Sequence, residues 1–486
     1  MAAPRARVVR VSASPGRALT LGLVLGVTVI ALASLAVVTI APLIPAELGG
    51  FERYGWIFSA NLLATLLGTV WGGAQADRYG PGRAFGLGLV AFVLGSTLAA
   101  LAPSREVLVA ARALQGLGGG AVITSIYVVV SLAYPDAERA RVLALLSSAW
   151  VLPALLGPAA AGLIAEATSW RWVFASLVPF VIAVAFLTLP SFRALAASAP
   201  GPSAAARGRL LAASLLSLAV GGALWALDAE AAPLLRLAVA LAALILAPAT
   251  LRRLLPPGTL RLQPGVGAVI VARGLLFAGF ITVEVYLALT LTELLGLSSA
   301  VTGLVIATGA LVWTTGSWTQ ARLEALRRAP ARSGALHMLG RRREVRVVLG
   351  VAVLTCGIAL QLLALAVGTG GGSTATTLAI TLGGWALAGL GIGFAHASAS
   401  VAAFERAELE GVEAGTLSSG LQLADGVAAA TATGVAGALL AGLAPQHGMP
   451  PAIAAAYGVG ACAALVSLWA AWRIGAVPGG PSPAAG

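Results

Sequence analysis

Lysine is missing altogether: all 30 basic residues among the 486 are arginine. Charge of either sign is scarce, at 10% of the chain against about 25% in soluble proteins. The two cysteines, Cys356 and Cys462, stand in separate apolar runs, so a disulfide framework is excluded and both read as small buried hydrophobes. Without lysine there is no P-loop G-x-x-x-x-G-K-[ST], which excludes an ATP-driven pump in this one chain. The few histidines, cysteines and acids offer no metal-ligand spacing, and no soluble-enzyme signature is present. A soluble globule of this length needs far more charge to cover its surface. Intrinsic disorder fails on the opposite count, because 59% of the residues are hydrophobic. An all-α integral membrane protein remains.

A helix needs about 20 apolar residues to cross a bilayer. The first uncharged run, Ala18 to Ala46, has 29 residues and exceeds a signal-peptide core of about 7–15, so it reads as a membrane helix. Spans are predicted over 18–44, 54–76, 84–102, 106–133, 140–165 and 170–190, then 209–228 and 233–250. A second set of six covers 266–294, 300–325, 345–367, 375–404, 413–441 and 451–473. The 6 + 2 + 6 layout gives 14 spans, with an interfacial hairpin as the alternative for the short central pair. The expected organisation is a cytoplasmic tail at 1–17, a six-helix bundle at 18–190, a linker with two extra helices at 191–265, a second six-helix bundle at 266–473 and a disordered tail at 474–486.

With both termini inside, 24 arginines fall at cytoplasmic ends and loops. Only Arg53, Arg105, Arg171 and Arg236 fall outside, and Arg112 and Arg273 lie within spans. This is the positive-inside pattern. The net charge of +12 is therefore topological and does not point to nucleic acid. The cluster Arg341-Arg342-Arg343 reads as an orientation anchor, with a lipid-headgroup or partner site as the alternative.

Motifs sharpen the class. The turn after the second span reads G-A-Q-A-D-R-Y-G-P-G-R, with Gly73, Asp77, Arg78, Gly80 and Arg83. It resembles the G-x-x-x-D-R-x-G-x-x-R loop of the major facilitator superfamily. That resemblance implies a conformational latch between two halves, with the Asp near the start of a helix at about Glu413, where the helix dipole favours an anion. The fourth span carries Arg112, Gln115, Gly116 and Gly118, similar to the family's R-x-x-Q-G-x-G motif, which implies a part for Arg112 in proton handling. Pro153, Gly157, Pro158 and Gly162 in the fifth span resemble the Gly-Pro motif of the antiporters, a kinked helix with a smooth packing face. Two departures stand out: Pro153 replaces a usual glycine, and Ala161 stands where a second glycine is common. Trp170-Arg171-Trp172-Val173-Phe174 resembles the opening of the sixth helix in drug exporters, with interfacial anchoring by tryptophan. The layout resembles the fourteen-segment drug:proton antiporter branch, except that Ser34 stands where that branch has an aspartate. Gly316 to Arg322 faintly repeats Gly73 to Arg78, with Gln320 in place of the aspartate.

Two acids lie mid-span, Glu284 and Asp425. A charged, lipid-facing acid there is expensive, and a buried carboxyl that takes up and releases a proton is what a proton-coupled exporter needs. Arg273 lies eleven residues before Glu284, on the same face and about 16 Å away by the helical rise. Gln422 precedes Asp425 by three and is placed to hydrogen-bond it. His396 suits either a proton relay or helix packing. Asn61, Gln115, Tyr286, Trp313, Trp385, His396 and Gln422 are candidates for a substrate cavity, which competes with ordinary packing. The expectation is a monomeric, multi-pass plasma- or inner-membrane exporter of small lipophilic compounds. It uses the proton as coupling ion and no cofactor, with Arg112, Glu284 and Asp425 in coupling. A dedicated metabolite, lipid or siderophore carrier and a non-transporting sensor are the rivals.

Overall fold

A computed structural model describes residues 17–193, 204–228, 231–327 and 343–475. Residues 1–16 and 476–486 of the predicted tails, and Arg341 and Arg342, lie outside these segments. Among the described residues every regular element is helical. A chain in hydrocarbon must satisfy its own backbone polar groups, and helices do so within one segment.

The helices are α1 (Arg17–Ile40), α2 (Trp56–Tyr79), α3 (Pro81–Ala100), α4 (Arg105–Ala133), α5 (Asp136–Ser148), α6 (Val151–Ala167), α7 (Trp170–Arg193), α8 (Ala204–Asp228), α9 (Pro233–Leu254), α10 (Val266–Leu289), α11 (Ser299–Arg327), α12 (Arg343–Thr369), α13 (Thr374–Glu410), α14 (Ala414–His447) and α15 (Met449–Arg473). Thirteen helical stretches among the described residues are long and apolar enough to cross a bilayer. The predicted fifth span is broken instead, with α5 ending at Ser148 and the apolar α6 running for 17 residues. The central pair, α8 and α9, is long and apolar enough to cross, as the 14-span layout expects. α9 turns Leu234, Leu244 and Ile245 outward, as a helix apolar all round does against lipid.

The chain forms two compact units. Unit 1 comprises Met1–Thr250, Glu284–Ala310 and Thr433–Ile453, and unit 2 comprises Leu251–Val283, Leu311–Ala432 and Ala454–Gly486. The division passes through α10, α11, α14 and α15 and does not follow the sequence halves.

In unit 1, α4 packs between α2 and α3. Its glycines permit this: a Cβ at Gly116 or Gly120 would strike the carbonyl oxygens of Asn61 and Thr65 on α2. A Cβ at Gly118 would meet the backbone of Gly88 and Phe92 on α3. Close backbone approach through small residues is how helices associate where lipid removes the hydrophobic drive. α1 lies against α6 and α7, and Ser217 of α8 donates to the Leu63 carbonyl of α2 at 3.3 Å. Gly80 at φ 85° makes the tight turn from α2 into α3. Ser104 caps α4 by accepting from the Val107 N–H.

In unit 2, α12 and α13 run together through Gly350, Gly357 and Gly391. One end is tied by charge: Glu324 of α11 accepts from Arg343 and Arg346 of α12, and Arg406 of α13 pairs with Glu344 at 2.9 Å.

Two expectations need correction. Cys356 and Cys462 are exposed, not buried, because a helix bathed in hydrocarbon turns apolar side chains outward without penalty. Trp170 is buried edge-on against Phe174, so of the two tryptophans in that motif only Trp172 faces outward.

Candidate functional site

Unit 2 gathers three ionisable side chains from three helices. Arg273 of α10 donates through Nη2 to Asp425 Oδ2 of α14 at 2.8 Å. Its Nε lies 3.0 Å from His396 Nε2 of α13, and that nitrogen lies 3.2 Å from the same Asp425 oxygen. The Arg273 and Asp425 side chains are 12% and 13% exposed. Glycines bring the helices this close. Gly274, next to Arg273, packs on the backbone of Ala424, next to Asp425. Gly393, three residues before His396, packs on the Trp313 carbonyl of α11.

The geometry constrains the protons. Arginine Nε always carries hydrogen, so His396 Nε2 accepts from Arg273 and its own proton resides on Nδ1. Nε2 and Asp425 Oδ2 then face each other as two acceptors, held by the Arg273 charge. One added proton between them converts that contact into a hydrogen bond and competes with the ion pair. The other carboxylate oxygen, Asp425 Oδ1, is buried and has no hydrogen-bond partner among the described residues.

Aromatic rings line the same place. Phe277 and Trp313 stand 5.9 Å and 6.0 Å from the His396 ring. Phe280 meets Trp313 edge-on at 5.1 Å and stacks on the fully buried Trp385 at 4.7 Å.

Unit 1 treats its buried charge differently. Arg112 is 2% exposed and donates from Nε to the Ile57 carbonyl at 3.1 Å and from Nη1 to Gln115 Oε1. Gln115, itself buried, donates onward to Ser96 at 2.9 Å. Asn61 donates to the Arg112 carbonyl at 3.0 Å. Every acceptor of the Arg112 guanidinium among the described residues is neutral, and the side chain does not snorkel outward. Gln115 and Asn61 thus tie α2, α3 and α4 together.

Glu284 is 7% exposed and has no hydrogen bond among the described residues. Its neighbours in sequence close a seam within unit 1. Tyr54 donates to the Val285 carbonyl at 3.2 Å, and Tyr286 donates to the Thr433 carbonyl at 2.9 Å. The Ser59 and Thr433 hydroxyls share a hydrogen bond at 3.1 Å. A Cβ at Gly55 would meet the backbone of Thr433 and Gly437. The Gly-Pro helix joins the same unit: Gly162 packs on the Ser299 backbone and Pro158 on Gly303. Glu166 accepts from the Ala300 N–H at 2.8 Å and so caps α11. Pro153 and Gly157 are buried, Gly157 beside Leu32.

Asp77, Arg78 and Arg83 are exposed, and both guanidinium groups lie over the Tyr79 ring, at 4.7 Å and 4.2 Å. Gly73 has only the Thr124 methyl group near its Cβ position. Gln422 is exposed and makes no hydrogen bond to Asp425 among the described residues; Asp425 Oδ2 faces Arg273 and His396 instead. Arg273 is the residue that sequence reading underused. An in-span arginine requires a partner, and no residue type says which helix supplies it.

A family profile described as Major Facilitator Superfamily matches residues 23–424. Multidrug resistance protein 3 of Bacillus subtilis is 33% identical over 159 residues, 33% of this chain and 31% of that protein. The Acurin A biosynthesis cluster MFS-type transporter of Aspergillus aculeatus is 33% identical over 155 residues, 32% of this chain and 28% of that protein. The chain thus spans under a third of the length of either relative. A crystal structure of the peptide transporter POT in complex with sulfate aligns with a TM-score of 0.66 at 16% identity, covering 97% of this chain and 98% of that one, which shows the fold.

Proposed function

This chain belongs to the Major Facilitator Superfamily, and on that premise we propose that it exports small lipophilic, drug-like compounds in exchange for protons by alternating access. The Arg273–His396–Asp425 cluster carries the reading. It sets a carboxylate, a cation and an imidazole around one oxygen, so proton uptake and release of the ion pair are a single event. Asp425 exchanges its proton as substrate binds or leaves. Glu284 is the second acid of the proton path. Arg112, bonded to neutral groups, is a fixed cation that shapes the field of the first half.

Alternating access draws support from the seam in unit 1. Its contacts at Gly55, Gly162 and Gly303 are backbone against backbone, with few interlocking side chains. Such surfaces part without repacking a core. The exposed Asp77, Arg78 and Arg83 supply the latch. Gly157, Pro158 and Gly162 give α6 its smooth face. Relatives named for multidrug resistance favour a broad substrate range. In this reading the protein is a monomer of the plasma or inner membrane, with both termini cytoplasmic and no cofactor. A carrier dedicated to one metabolite, lipid or siderophore is the second reading, favoured by the incomplete Gly-Pro motif at Pro153 and Ala161.

The test is efflux of a fluorescent cationic dye from expressing cells, with and without a protonophore, for wild type and Glu284→Gln/Asp425→Asn. Wild type is expected to export the dye, and either the protonophore or the double substitution to stop it. Absence of dye movement by a well-expressed wild type contradicts the proposal.

A further inference from the structure

We infer that the Arg273–His396–Asp425 site selects its substrate by an N–H or O–H donor carried on an aromatic frame, not by net positive charge. The inference rests on the export reading above and names the substrate class for that same site.

The charge argument comes first. Asp425 is the one acid in the cluster, and its Oδ2 already accepts from the Arg273 guanidinium at 2.8 Å and lies 3.2 Å from the imidazole nitrogen. The groups facing the carboxylate are Arg273 from α10 and His396 from α13. α11 adds Trp313, which touches the imidazole edge-on. The pair is electrically balanced before any substrate arrives. A quaternary cation entering here meets no uncompensated negative charge and gains little.

What the site lacks is a hydrogen-bond donor. Asp425 Oδ1 is buried and has no hydrogen-bond partner among the described residues. A buried, unmet carboxylate oxygen is destabilising, and a donor that reaches it recovers more than an ordinary neutral hydrogen bond. The oxygen is shut off from solvent in this conformation, so substrate entry includes the parting of the helices around it. Phe277 and Trp313, both half-buried, flank the imidazole and give a planar ring its seat.

The same oxygen explains exchange. A proton taken up between Asp425 Oδ2 and His396 Nε2 neutralises the carboxylate and weakens Oδ1 as an acceptor for a substrate N–H. Substrate and proton therefore oppose one another at one carboxylate, without a cation being attracted to a bare acid.

The test compares rhodamine 123 with tetramethylrhodamine methyl ester, binding each to the full-length protein in nanodiscs. Both are xanthene monocations on one skeleton; the first carries N–H donors, and the second is fully N-methylated. Rhodamine 123 is expected to bind wild type about tenfold tighter. In Asp425→Asn, Arg273 selects the amide oxygen, so an NH2 group replaces the free acceptor and the ratio should fall to about one. Equal wild-type affinities would overturn the inference while leaving dye export intact. A ratio unchanged in Asp425→Asn would overturn the assignment to Asp425. Failure of wild type to export either dye from cells would overturn the export reading and this inference together. The wild-type ratio decides the donor question even if the variant does not fold.

Discussion

Arg112 and Arg273 are the same residue, each inside a helix that crosses the membrane, and their surroundings give them opposite properties. Arg112 is sealed among neutral acceptors, the Ile57 carbonyl and Gln115. Nothing in that shell changes charge, so the guanidinium is a constant. Arg273 is held by Asp425 and His396, both ionisable side chains. Its anchorage is conditional on their state. A buried arginine is therefore uninformative about coupling until its acceptors are known. In the proposed mechanism the fixed one shapes a field and the conditional one acts as a switch.

The comparison can be broken most forcefully by removing one partner. Asp425→Ala orphans Arg273 and is expected to lower unfolding free energy by about 3 kcal/mol in detergent. Arg112→Met removes hydrogen bonds to neutral groups only, and about 1–2 kcal/mol should be lost. Equal losses would mean that the two arginines do not differ as described. Next in size is Gly393→Ala, whose Cβ would strike the Trp313 carbonyl and push α11 from α13. Thermal unfolding should show a loss of about 2 kcal/mol, and dye affinity should fall with it.

A double-mutant cycle sharpens the point. Coupling between Arg273→Met and Asp425→Leu should reach about 1.5 kcal/mol, whereas Arg112→Met with Gln115→Leu should stay near 0.5 kcal/mol. Comparable coupling energies would erase the distinction. The smallest effect belongs to Gly426→Ala. It adjoins Asp425, but no atom lies within 4 Å of its Cβ position, so stability should be unchanged or rise by up to about 1 kcal/mol.

The fold was largely legible in the residue order because bilayer thickness and arginine placement are one-dimensional constraints. The central helices α8 and α9 follow from run length alone. The break between α5 and α6 does not, since Ala149 and Trp150 carry no helix-breaking chemistry. The site was half legible. Asp425 declares itself as an acid in an apolar run, and Arg273 as a cation in another. Their pairing depends on Gly274 packing against Ala424, a contact between helices some 150 positions apart that no local pattern encodes. Gln422 shows the reverse failure, where a correct helical spacing accompanies a side chain that points away. The cysteines were misread because burial rules for water-soluble proteins do not hold for a surface that faces lipid.

The most direct test measures protons released when rhodamine 123 binds the purified protein in weakly buffered detergent solution with a pH indicator. If the conditional arginine governs coupling, wild type and Arg112→Gln, first acidified so that Asp425 carries a proton, will both release protons on binding, and Asp425→Asn will release fewer than either. Proton release by Asp425→Asn equal to wild type, or dye binding without release by Arg112→Gln, would contradict the central claim.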